Sequence, residues 1–306
     1  MFNIGITGST GFIGKNIFSS NYFSNCFFIP IKKSDLYCLP IISDLFNHCD
    51  TIIHLAGLAH DVKNTSCSNE YYRINTDLTI DLFNVFLESK STTFIYISSV
   101  KAASDNIDGV LTEDMLECPH TDYGKSKLLA EKYILKKLKD RFDKKVFILR
   151  PCMIHGPSNK GNLNLLYKMV SKGLPWPLGS FDNKRSFCSI DNICFIINEL
   201  IGNDKIPSGV YNISDDEPLS TNDLIKLIAV SLSKKPFILN TPKFLVITVS
   251  KLGDALRLPL NSERLSKLTE TYIVSNKKIK SAINKPLPVS ATEGLLKTFN
   301  SFHNAQ

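Results

Sequence analysis

The first half of the chain alternates two hydrophobic periods. Short runs rich in β-branched and aromatic residues at Phe2–Thr7, Cys26–Ile31, 51–55, 94–98 and 146–149 predict strands. Between them lie helix-length segments, above all 70–89 and 123–139, with apolar residues every three to four positions. Strand, helix, strand repetition predicts an α/β fold around a doubly wound parallel sheet. The runs Thr51-Ile52-Ile53-His54-Leu55 and Phe94-Ile95-Tyr96-Ile97 are apolar almost throughout, as strands covered by helices on both faces must be. After Arg150-Pro151 the texture changes. Pro and Gly cluster at His155-Gly156-Pro157 and from Gly173 to Gly179, which predicts a loop-rich second lobe with single helices between the clusters. The expected division is a sheet domain over 1–156, to which 186–215 returns, and a smaller mixed α/β lobe over 157–185 and 216–306.

Composition narrows this picture. With 306 residues, 43% hydrophobic and 21% charged, the chain has ordinary globular composition and ample length for a core. The longest apolar runs, such as 244–249, fall far short of the about 20 residues that cross a bilayer, so no membrane span is expected. Met1 leads straight into an apolar strand with neither a basic segment nor a cleavage site, which predicts a cytoplasmic protein without a signal peptide. Eight cysteines without a CxxC pair predict free thiols, and histidines without HxxxH spacing predict no metal site. The net charge of +7 comes from short pairs such as Lys32-Lys33 and Lys144-Lys145, never from a long basic block. A small anionic substrate is therefore expected, and no nucleic acid.

Directly after the first predicted strand stands Gly8-Ser9-Thr10-Gly11-Phe12-Ile13-Gly14, with a glycine at every third position before a helix. Such a turn lets backbone N–H groups and the positive helix end approach a pyrophosphate that side chains would hold away, which predicts a Rossmann dinucleotide site. A Walker loop fails, because Lys15 is followed by Asn16 where Ser or Thr is required. Ser98-Ser99 ends a predicted strand, and Tyr123-Gly124-Lys125-Ser126-Lys127 opens a helix. Tyr and Lys four apart share a helical face. At about 4 Å and an effective dielectric near 20 their attraction is ~4 kcal/mol, enough to lower the phenol by about three units toward neutrality.

In order along the chain, TGxxGxxG, His54-Leu55-Ala56-Gly57, Ser98-Ser99, Tyr123/Lys127 and Arg150-Pro151-Cys152-Met153-Ile154-His155-Gly156-Pro157 resemble the extended short-chain dehydrogenase/reductase family that acts on nucleotide sugars. The stretches Lys160-Gly161-Asn162-Leu163, 174–179 and Asn183-Lys184-Arg185-Ser186-Phe187 resemble its branch of UDP-4-keto-6-deoxy-N-acetylhexosamine 4-reductases, which serves surface-polysaccharide synthesis and also contains UDP-sugar 4-epimerases. The resemblance implies that Gly8, Gly11, Phe12, Ile13 and Gly14 hold the pyrophosphate and that Asp44 and Leu45 flank the adenine. It places Leu55, Ala56, Gly57 and Pro151 along the cofactor, Asn75 behind the nicotinamide and Lys127 on its ribose. It assigns catalysis to Ser99, Tyr123 and Lys127, and substrate binding to Ser99, Asn162, Leu178, Arg185 and Arg264. Dehydratases of the family carry Asp-Glu where Val100-Lys101 stands, so elimination is not expected. The second strand is followed by Lys32-Lys33 and not by an acid, which favours NADP over NAD. The expected reaction is NADPH-dependent reduction at C4 of a UDP-4-keto sugar. The alternatives are a UDP-sugar 4-epimerase with tightly bound NAD and an inactive nucleotide-sensing relative. Helices 70–89 and 123–139, with Leu78, Leu82, Phe86, Leu128, Leu135 and Leu138, either pair across the two-fold axis of a homodimer, as in members of the family, or pack as ordinary core against the sheet.

Overall fold

The computed structural model describes residues 1–58, 68–159, 161–256 and 261–303; His60, Cys67 and Lys160 lie outside them. The chain forms two compact units. The first comprises Met1–Cys152, Ile190–Ser214 and Val274–Pro288, the second Met153–Ser189, Asp215–Ile273 and Val289–Gln306.

Along the first unit run β1 (Phe2–Thr7), α1 (Phe12–Phe18), β2 (Cys26–Ile31), α2 (Leu39–Asn47), β3 (Thr51–His54), α3 (Ser68–Tyr71), α4 (Leu78–Glu88), β4 (Thr93–Ile97), β5 (Val110–Leu111), α5 (Asp122–Leu138) and β6 (Lys145–Pro151). The second unit begins with β7 (Met153–His155), α6 (Asn162–Ser171) and β8 (Phe187–Ser189), after which α7 (Ile190–Leu200) and β9 (Gly209–Ile213) return to the first. Then follow α8 (Thr221–Ser231), α9 (Lys243–Leu256) and α10 (Ser262–Thr269) of the second unit, α11 (Lys277–Ile283) of the first and α12 (Ala291–His303) of the second.

Six parallel strands build the central sheet in the order β2-β1-β3-β4-β6-β9. Every residue of β3 and β4 is buried, the signature of strands covered on both faces. Ile52, Phe94 and Ile148 pack against Phe83 and Phe86 of α4 and Ile134 of α5. Phe83, Phe86 and Phe94 meet at centroid distances of 5.1 to 5.7 Å, in the tilted and edge-on geometries that aromatic quadrupoles favour. Leu78, Leu82, Phe86 and Leu128 are buried inside this unit, and Leu135 and Leu138 pack against the same core, so these faces serve the sheet.

One expectation changes. The helix expected over 70–89 is interrupted by a π-helical turn, Tyr72–Asp77, which buries the polar residues Asn75 and Thr76. In the second unit, α6, α8 and α12 enclose a core of Leu163, Tyr167, Trp176, Leu224, Ile228, Leu295 and Phe299. Gly and Pro there punctuate helices and do not replace them.

Candidate active site

The chain runs from β1 outward to β2, then resumes on the other side of β1 with β3, so strand order reverses between β1 and β3. Ligands of open α/β sheets lie outside the carboxyl ends of strands at this point. Gly8, at φ +69°, turns the chain there, and a Cβ on it would lie 2.7 Å from Ala56 N. A Cβ on Gly14 would lie 2.5 Å from Ser9 O, so the helix can follow the strand this closely only with glycine. The turn is closed by Gly11 N–H donating to Gly8 O at 3.0 Å. No side chain caps α1, and its first N–H groups, on Phe12, Ile13 and Gly14, have no helical acceptor. Bare donors, a helix N-terminus and missing side chains fit a dinucleotide pyrophosphate.

Thr7, the last residue of β1, ties this turn to the end of β3. Its hydroxyl accepts from Ala56 N–H at 3.1 Å and lies 2.8 Å from His54 Nδ1. His54 Nε2 is 3.0 Å from Thr79 Oγ1, which itself donates to Asn75 O at 2.9 Å. The one arrangement that satisfies this network puts the imidazole proton on Nε2 and lets Thr7 donate to Nδ1. Burial, with the Lys127 charge second, pushes the His54 pKa down to about 3, so the ring is neutral. Asn75 accepts from Leu58 N–H at 2.8 Å and donates to Leu58 O at 3.1 Å and to Ser126 Oγ at 3.2 Å. Its role is therefore to pin the loop through Leu55, Ala56 and Gly57. A Cβ on Gly57 would lie 3.0 Å from Asn75 Oδ1 and 3.1 Å from Lys127 Nζ.

The start of α5 is fixed just as firmly. Asp105 accepts from the N–H groups of His120 and Thr121 at 2.7 and 2.9 Å, and the Thr121 hydroxyl caps the helix by accepting from Gly124 N–H at 3.2 Å. Gly124 lies against Lys101 O with no room for a Cβ. This close approach brings the Tyr123 phenol into hydrogen-bonding contact with Ser99, whose hydroxyl also accepts from Lys101 N–H at 3.2 Å. Beside it, Ser98 Oγ is buried without a hydrogen-bond partner.

Lys127 is buried, donates to Ile97 O at 3.0 Å and holds its ammonium 4.9 Å from the centre of the Tyr96 ring. Burial pulls its pKa down to about 8, against the pull of Glu131 one turn further on. Glu131 accepts from Arg150 Nε at 3.0 Å, and Arg150 also reaches Glu117 at 3.2 Å. The Tyr123 phenol moves the other way from the expected acidification: burial pushes it above its ordinary value, the Ser99 bond opposes this, and Tyr71 adds to the rise. Four-residue spacing decides which face two side chains share, but not where the end of a flexible lysine stops. Here a strand carbonyl and an aromatic face hold it.

Lys32 and Lys33 are exposed just after β2, and Asp35 behind them accepts from Ser34 Oγ at 2.7 Å. Pro151 is buried at the end of β6, paired with Ile213. Asp44 and Leu45 require correction. They sit in the last part of α2, whose end is tied to the starts of strands: Asn47 accepts from Lys90 N–H at 2.9 Å and Phe46 O from Ser91 Oγ at 2.6 Å. Both residues are thus at the sheet edge opposite the glycine turn, because α2 runs back toward the start of β3. The acid that follows a strand end at the correct edge is Asp35.

Of the expected substrate residues, Ser99 belongs to the first unit and the other four to the second. Asn162 is the exposed first residue of α6, and Arg264 is exposed on α10. Leu178 is a core residue, 3% exposed. Arg185 faces Glu270 at 3.0 Å and donates to Lys267 O at 2.6 Å, so its guanidinium already has an acid beside it. Sequence reasoning missed Thr7, Asp105, Thr121, Gly124 and the Glu131–Arg150 pair; the small residue between Tyr123 and Lys125 and the Thr three places before Gly124 were the available signals. Among the described residues no cluster of His, Cys, Asp and Glu could hold a metal ion, no helix is long and apolar enough to cross a membrane, and no cysteine is in a disulfide.

Residues 4–214 match the NAD dependent epimerase/dehydratase family. The chain belongs to this enzyme family. Over 324 aligned positions, covering 98% of this chain and 95% of the other, it is 31% identical to a Vibrio cholerae protein described as UDP-glucose 4-epimerase. An Escherichia coli dTDP-4-dehydro-6-deoxyglucose reductase is 24% identical over 269 positions, covering 76% of this chain and 83% of that one. Among solved structures, UDP-N-acetylglucosamine 4-epimerase from Bacillus cereus superposes with a TM-score of 0.79 at 19% identity, over 100% of this chain and 99% of that one. UDP-glucuronic acid 4-epimerase from Bacillus cereus, in complex with NAD, gives 0.75 at 21% identity, over 99% of both. These structural likenesses establish the shared Rossmann-type fold.

Proposed function

We propose that this protein inverts C4 of a UDP-sugar, acting as a nicotinamide-dependent 4-epimerase. The observation that carries the reading is the end-to-end likeness to the Vibrio cholerae UDP-glucose 4-epimerase. It favours the alternative of the sequence reading over reduction of a UDP-4-keto sugar, for which the support is the more distant reductase relative.

A nicotinamide dinucleotide, when bound, supplies the hydride acceptor and donor that the side chains lack. The residues of the chain do the rest. The Gly8–Gly14 turn offers N–H groups to the pyrophosphate, while Asn75 and Thr7 hold the β3 loop at the distance this requires. Tyr123 is the proton carrier for the sugar C4 oxygen: it takes the hydroxyl proton in one direction and returns it in the other. Ser99, already bonded to the phenol, holds the same oxygen. Lys127, with an ammonium in low dielectric, stabilises negative charge on the phenolate. Val100 and Lys101 supply no acid–base pair, and Lys101 Nζ is bonded to Asp105 O at 2.9 Å, so elimination is not part of the proposal.

NAD is the proposed cofactor, with Asp35 as the carboxylate at the correct edge for a ribose hydroxyl. Lys32 and Lys33 favour a second reading, an NADP-dependent reductase, because two exposed ammonium groups suit a 2′-phosphate. One experiment separates the two. Purified protein is given UDP-glucose or UDP-N-acetylglucosamine without added coenzyme, C4 inversion is followed by NMR, and the bound nucleotide is extracted. Epimer formation with co-purified NAD is expected; turnover confined to a UDP-4-keto sugar plus NADPH would overturn the epimerase.

A further inference from the structure

Chemistry at the glycine edge leaves one conspicuous part of the second unit unused. In α9, Val246, Ser250 and Gly253 are buried, whereas Leu245, Val249, Leu252 and Leu256 are 45 to 67% exposed. Their four-three-four spacing aligns them as one stripe along the helix. Phe244, at 67%, extends it at the start of the helix. Just before α9, Phe237 and Leu239 are exposed as well, presented by backbone hydrogen bonds of 2.8 Å that pair this segment with Trp176. Single exposed apolar residues are ordinary; a stripe continued by aromatic neighbours marks an interaction surface.

The charge around the stripe identifies what covers it. Between residues 233 and 256 stand four exposed lysines, Lys234, Lys235, Lys243 and Lys251, and one acid, Asp254. That acid is tied to Ser262, whose N–H donates to it at 3.0 Å. A second copy of this chain would set lysine against lysine across the contact, and a nucleic acid would leave the apolar stripe in water. An anionic bilayer surface satisfies both, since acidic headgroups attract the ammonium groups while the acyl boundary takes the leucines. At 14 residues, the helix is about 21 Å long, too short for the roughly 30 Å hydrocarbon core, so it lies in the interface plane.

We propose that α9 and the segment before it dock the protein on the anionic surface of a lipid bilayer. The docking does not rest on the epimerase reading and is tested without turnover. Full-length protein is sedimented with vesicles of phosphatidylcholine alone and of phosphatidylcholine with phosphatidylglycerol, at low and high salt. Binding to the anionic vesicles is expected, weakened by salt and at least about tenfold weaker on the neutral ones. The charge reversal Lys234→Glu/Lys235→Glu/Lys251→Glu and the stripe change Val249→Ser/Leu252→Ser should each lower anionic-vesicle binding about tenfold or more, at unchanged unfolding temperature. Absence of vesicle binding by the unaltered protein overturns the proposal. So does equal binding by both variants, or concentration-dependent self-association, lost in the stripe variant, without lipid binding.

Discussion

The two edges of the parallel sheet each bury a lysine on an aromatic ring, and the two lysines do different things. At the strand-start edge Lys144 lies 5.0 Å from the centre of Phe86 and donates to two carbonyls, Ser89 O and Ser91 O, both at 2.7 Å. At the strand-end edge Lys127 lies 4.9 Å from the centre of Tyr96 and donates to one carbonyl, Ile97 O. Burial lowers both pKa values. Lys144 closes a knot in which Ser91 Oγ also binds Phe46 O and Cys49 O. Lys127 donates to a single carbonyl and lies beside Gly57, where a Cβ would come within 3.1 Å of its Nζ. The lesson is that burial of a charged group does not by itself mark function; what marks it is donor capacity left over at the edge where ligands bind.

The comparison breaks most easily at the phenol. Tyr123→Phe is expected to lower turnover by about three orders of magnitude while the bound nucleotide and the unfolding temperature stay as they were. Steady-state rates with nucleotide extraction check this, and near-normal turnover would remove Tyr123 from the chemistry.

Next comes the pair of lysines themselves. Lys127→Met should cost about a hundredfold in turnover with little loss of stability, because a buried charge is removed along with its bond. Lys144→Met should leave turnover unchanged and destabilise the fold by about 1–3 kcal/mol, since two carbonyls lose their partner. Denaturant unfolding and kinetics on both variants decide, and a Lys144 variant that loses turnover at full stability would erase the contrast.

A smaller effect is expected from pH. Lys127 must be charged to act, so turnover should fall as pH rises through about 8. For stability the sign is opposite. The folded pKa of about 8 lies below the ordinary 10.5, so the unfolded chain binds more protons between these values, and the penalty from this group is relieved as pH rises across that window. A pH–rate profile whose alkaline limb is unchanged in Lys127→Arg would assign the limb elsewhere.

The smallest effect is expected at the end of β2. Lys32→Ala/Lys33→Ala should alter NAD retention by less than about threefold, because exposed charges are screened. A loss of tenfold or more in NADP binding, with turnover depending on it, would turn the assignment toward the reductase.

Much of this was legible in the chain. The bounds of β1 and β2 follow from runs of β-branched and aromatic residues, and the glycine turn from its place between a strand and a helix. That Ser99 meets Tyr123 follows from one residue ending a strand and the other opening a helix at the same edge. The misplacement of Asp44 and Leu45 has a simple cause: an acid followed by a leucine looks alike on either side of a sheet, and only the direction of α2 tells which edge it reaches. Arg185 shows the same limit, since a guanidinium suited to phosphate suits Glu270 equally well.

The order of apolar and polar residues by itself determined the parallel sheet, its glycine turn and the helix that carries Tyr and Lys on one face, because each depends on local periodicity and on backbone freedom. Tertiary structure alone decided the neutral His54 between two threonines, the pinning of the β3 loop by Asn75, the resting place of the Lys127 ammonium and the exposed stripe of α9. Those depend on which atoms lie within 3 Å after distant segments meet, and on which surfaces are left without a partner.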